Sequence, residues 1–67
     1  MSHMSIEQIK AELPEVKVKV NGSVVTGHIY GRNSQFPTVY TKQDSRGWPF
    51  AWETIQQSLV TGKPLLV

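Results

Sequence analysis

Asn21-Gly22 is the most constraining feature of this chain. Before it, Val16-Lys17-Val18-Lys19-Val20 alternates strictly between β-branched apolar and cationic residues, and residues 23–30 return as a second apolar-polar run. Asn-Gly between two such runs marks a β-hairpin, because a type I′ turn needs positive φ at both central residues. A two-residue turn also sets the register. Val20 faces Ser23, Lys19 faces Val24, Val18 faces Val25, and Lys17 faces Thr26. Since side chains alternate across a strand, one face of the hairpin holds Val16, Val18, Val20, Val25 and Ile29, with Gly27 among them. The other holds Lys17, Lys19, Val24, Thr26, His28 and Tyr30. A glycine inside a strand points to a bend or to the close approach of another backbone, as at a barrel corner.

The flanking segments follow from similar local chemistry. Ser5-Ile6-Glu7-Gln8 has the form of a capping box, Ile6, Ile9 and Leu13 recur at helical spacing, and Pro14 forbids continuation. A short helix is therefore predicted over residues 6–12. Pro37-Thr38-Val39-Tyr40-Thr41 reads as a third strand, with Val39 on one face and Thr38, Tyr40 and Lys42 on the other. Residues 31–35 and 42–47 are polar turns. Trp48-Pro49-Phe50 is predicted as a short edge strand, because Pro49 cannot donate to a ladder. Trp52, Ile55, Gln56 and Leu59 recur at helical spacing, with Gly62 in the C′ position and Pro64 beyond it, so a second helix is predicted over residues 52–61. Leu65-Leu66-Val67 returns to the sheet as a final strand. The expected fold is mainly β within the α+β class. It is a small SH3-like, strongly bent antiparallel sheet or barrel of four to five strands, with a short N-terminal helix and one C-terminal helix followed by a final strand.

Size and composition limit what such a fold can do. The chain has 67 residues. Residues 1–3 read as a cloning scar, leaving residues 4–67 as one domain. There is no cysteine, hence no disulfide, thiolate metal site or thiol nucleophile. Outside the scar His28 is the only histidine, so no histidine-based metal site is expected and no cofactor is called for. The acids Glu7, Glu12, Glu15, Asp44 and Glu53 are dispersed over helix ends and loops. With no nucleophile-base pair and no glycine-rich phosphate loop, the chain is expected not to be an enzyme; a pore shared by several copies would be the one exception. No apolar run approaches the length of a membrane span and no signal peptide opens the chain, so a cytoplasmic protein without a membrane partner is expected.

The formal net charge is +2 and the pI about 9.2, which permits a polyanion partner without demanding one. The distribution of charge says more than its sum. Lys17, Lys19, Tyr30, Tyr40 and Lys42 can share one sheet face, with Arg32 and Arg46 in the loops beside it. Cations interleaved with flat rings suit nucleic acid, the cations meeting phosphates and the rings stacking on bases. Lysine on a wet sheet face is also an ordinary guard against edge pairing. Of the remaining rings, Trp52, Phe50 and Phe36 are expected in the core, while Trp48 follows Gly47 in a polar turn, a position equally suited to surface or core. The expected function is a nucleic-acid-binding module, with DNA as the polymer, using Lys17, Lys19, Tyr30, Arg32, Tyr40 and Lys42. The alternative is a protein-interaction module or self-assembling small barrel using Trp48, Arg46, Tyr40 and the exposed sheet edge, partnered by another protein or by a second copy of itself.

Overall fold

The computed structural model describes residues 4–42 and 46–67. The segment read as a cloning scar, residues 1–3, and residues 43–45 of the second polar turn, Asp44 included, lie outside the described residues. In chain order the elements are α1 (Ile6–Glu12), β1 (Glu15–Val20), β2 (Ser23–Tyr30), β3 (Thr38–Thr41), β4 (Trp48–Pro49), α2 (Trp52–Thr61) and β5 (Leu65–Leu66). The strands form one curled sheet in the order β4-β3-β2-β1-β5, a half-barrel with both helices on its concave side.

Each local signal acts as its chemistry requires. Asn21 and Gly22 both have positive φ, 51° and 83°, and the hairpin pairs Val20 with Ser23, Lys19 with Val24, Val18 with Val25 and Lys17 with Thr26. In the capping box the Ser5 hydroxyl accepts from the Gln8 amide at 3.2 Å, and the Gln8 side chain accepts from the Ser5 amide at 3.1 Å. Leu13 is extended, as a residue before proline must be, and ends α1. Gly62 closes α2 in the left-handed region at φ 75°, its N–H donating to Ser58 O at 3.0 Å.

The valine face of the hairpin becomes the floor of the core. Val16, Val18, Ile29 and Val39 from the sheet are buried against Ile9 of α1, Trp52 and Ile55 of α2, and Leu65 of β5. Gly27 is buried at the centre of this floor, where the side chains of Val18 and Val39 close over it. Neither short helix would hold alone in water; their apolar stripes are stabilised by this shared core.

Two expectations are revised, and the open position of Trp48 is decided. The sheet is mixed, not antiparallel throughout, because β5 pairs parallel to β1, with Val18 beside Leu65 and Lys19 beside Leu66. The chain crosses from the β4 edge to the β5 edge through α2, and a helical crossover imposes no hairpin reversal. Phe36 is exposed (59%) instead of entering the core; its neighbour Pro37 is fully buried in its place. Trp48 sits on the core side of β4, paired with the buried Val39, and is half-buried. The rings Trp52 and Phe50 do pack in or against the core, as expected.

Candidate functional site

The convex face of the sheet is a grid whose rows follow from the strand register. Tyr30 lies beside Thr38, and Thr38 beside Pro49. In the next row Glu15, His28 and Tyr40 run side by side across β1, β2 and β3. Lys17 and Thr26 follow, and then Leu66, Lys19 and Val24. Lys42 continues β3 and closes a shallow hollow with Glu15, Val25, Thr26 and His28. Lys17, Lys19, Tyr30, Tyr40 and Lys42 therefore share one face. Arg46 is exposed in the turn ahead of Gly47, next to β4.

Contacts within the grid hold several side chains in place. Lys17 Nζ donates to Thr26 Oγ1 across the hairpin at 3.1 Å. The Tyr30 and Tyr40 rings meet edge to face, centroids 5.3 Å apart and planes at 75°, the arrangement aromatic quadrupoles prefer. His28 Nδ1 lies 3.9 Å from Glu15 Oε2, both side chains about half exposed. That pair extends the hairpin register by one more row, so it was available from the Asn-Gly turn even though Glu15 counts in the sequence only as one of several dispersed acids.

Arg32 is placed elsewhere. Its guanidinium reaches the C-terminal end of α1 and donates to the carbonyls of Ile9 at 3.2 Å, of Lys10 at 2.8 Å, and of Leu13. The Ile9 carbonyl also accepts from the Leu13 amide at 3.2 Å, whereas Lys10 lies in the last turn, where carbonyls lack an intrahelical donor; a planar fork of donors is suited to several such acceptors at once. The same loop is held from the other side, where Trp52 Nε1 donates to Ser34 O at 2.8 Å. Trp48, on the core side of β4, is likewise off the convex face.

The described carboxylates fall mostly in the helical layer, which also carries Lys10 on α1. Among the described carboxylates, Glu7 and Glu12 lie on α1 and Glu53 on α2, while Glu15 alone is on the sheet face, among Lys17, Lys19 and Lys42. No cluster of three or more His, Asp or Glu suited to a metal occurs among the described residues, and no buried side-chain polar atom among them lacks a hydrogen-bond partner. The described side chains of this surface offer ion pairing, hydrogen bonding and stacking.

No family model, curated protein or solved structure matches the chain.

Among the described residues no helix is long and apolar enough to cross a membrane.

Proposed function

We propose that the domain binds nucleic acid, DNA in the first instance, through the convex face of its sheet. The observation that carries this reading is the sorting of side chains by one hairpin register. Lys17, Lys19 and Lys42 share a surface with Tyr30 and Tyr40, while the helical acids Glu7, Glu12 and Glu53 belong to the other layer. Phosphates released from their counterions by lysine give binding a salt-dependent free energy, and ring faces add sequence-tolerant contacts to bases.

The test is a salt titration by fluorescence anisotropy. Three phosphate-contacting lysines give a slope of log K against log salt of about −2 on a single strand and about −2.7 on a duplex. A generic oligonucleotide that shows no binding even at about 50 mM salt, where such contacts are strong, overturns the reading. Glu15 supplies a second check. As the carboxylate on this face it repels phosphate, so Glu15→Gln strengthens binding severalfold at low salt, and the gain shrinks as salt screens it. An unchanged or weaker affinity places the ligand away from Glu15.

A second reading, self-association at a sheet edge, rests on a different observation. Leu66 on β5 is 72% exposed and neighbours Lys19, whose other neighbour Val24 is 55% exposed. β5 is an edge strand made of two leucines, and an apolar edge is the kind a second chain extends. A second copy seated there gives concentration-dependent sedimentation that Leu66→Lys abolishes and Trp48→Ala leaves unchanged. A protein that stays monomeric at high micromolar concentration removes this reading.

A further inference from the structure

We propose that the nucleic acid held on the convex face is single-stranded, with one unpaired base stacked on the ring of Tyr30. The proposal rests on the nucleic-acid reading above and specifies its substrate. Tyr30, the last residue of β2, is 58% exposed. Its partner Tyr40 meets it at 75°, so whichever ring presents its edge, Tyr40 covers at most one face of Tyr30.

Tyr40 is itself set in place. It is half-buried, and the backbone of Gly47 lies so close that a Cβ there would fall 2.8 Å from Tyr40 Cε1 and 2.9 Å from Cδ1. Gly47 also has φ 73°, so the close approach and the backbone conformation both call for glycine. Tyr30 is thus supported by a ring that is supported in turn by backbone. A ring held in its bound orientation loses little conformational freedom when a ligand stacks on it.

An exposed ring face selects for an unpaired base. Inside a duplex each base face is covered by the next base pair, and proteins that read a duplex place a helix or ribbon in a groove. Here both helices lie on the concave side of the sheet, packed into the core through Ile9 and Ile55. Along β2 the face runs from Tyr30 through His28 and Thr26 to Val24, with Lys17 and Lys19 beside the far half. At the rise of a strand this track is about 20 Å long, on the scale at which small sheet-based domains hold about four or more nucleotides. Rings stand at one end and cations at the other, so a strand would stack at Tyr30 and lay its phosphates along Lys42, Lys17 and Lys19.

The experiment measures binding of the full chain to fluorescein-labelled oligothymidine and to a duplex of the same length, over a range of salt. The single strand is expected to bind more tightly. Tyr30→Leu keeps apolar bulk but removes the π face, and is expected to weaken single-strand binding about tenfold with the salt slope unchanged. Tyr30→Phe keeps the wild-type affinity. Lys17→Ala with Lys19→Ala lowers the slope instead. Irradiation of a 5-iodouridine strand bound to the wild-type chain is expected to crosslink Tyr30, a readout independent of any variant's folding. If the duplex binds more tightly, or Tyr30→Leu binds like wild type, the stacking proposal is overturned while the nucleic-acid reading stands. If neither polymer binds at the lowest salt, both fall.

Discussion

Replacing Arg32 by alanine is expected to lower the stability of the domain by about 2–3 kcal/mol, the range for losing hydrogen bonds made by a charged donor. In a domain of this size that corresponds to a drop in melting temperature of roughly 10–20 °C. The reason is the position of its guanidinium. It donates to Ile9, Lys10 and Leu13 carbonyls at the end of α1 and so joins the loop after β2 to a helix more than nineteen positions earlier in the chain. Removing it takes a donor from each of these carbonyls and leaves the loop held by the Trp52 Nε1 bond to Ser34 O. Arg32→Lys should recover only part of the loss, because one ammonium cannot reproduce the fork. Nucleic-acid affinity of the folded variant should not change, since Arg32 lies off the convex face. Thermal denaturation followed by circular dichroism reads the first effect and anisotropy the second. A variant as stable as wild type but weaker in binding would return Arg32 to the interface.

Gly27→Ala is expected to be comparably damaging for an unrelated reason. The added Cβ would lie 2.4 Å from Val39 Cγ1 and 2.8 Å from Val18 Cγ2. Both valines are fully buried, and β-branched side chains have few χ1 rotamers into which to retreat. Overpacking of this kind costs about 1–3 kcal/mol, a large share of the roughly 3–5 kcal/mol that a core of this size supplies. The cause is checked by a double-mutant cycle. Val39→Ala alone destabilises by opening a cavity, but it also removes the methyl that the new Cβ strikes. The double variant should therefore be more stable than the sum of the two singles predicts. Strict additivity of the two losses in urea denaturation would show that the close approach at Gly27 is not what limits the site.

The features legible in the sequence are those decided within a few residues. The Asn-Gly turn sets the hairpin register, and that register sorts Lys17 and Lys19 away from the core valines. The capping box at Ser5 and Pro14 bound α1, and Gly62 closes α2. The features that were not legible depend on contacts between distant segments. Nothing near Arg32 indicates that its side chain reaches the carbonyls at the end of α1. Ring content alone put Phe36 in the core, but Pro37 takes the interior position. Trp48 lies on the Val39 side of the sheet because of its pairing in β4, and β5 runs parallel to β1 because a helical crossover carries no local signal of direction. Glu15 beside His28 is intermediate. It lies one row beyond the pairs that the turn makes obvious, and it adds a carboxylate to a face that the lysines alone would make wholly basic.

The most direct test of the convex face as the binding surface is to titrate the isotopically labelled chain with oligothymidine at low salt and follow its backbone amides by NMR. Amides of Lys17, Lys19, Thr26, His28, Tyr30 and Tyr40 are predicted to shift together, with α2 and the loop held by Arg32 unmoved. Shifts confined to α2 and β5, or none at any concentration reached, would contradict the account.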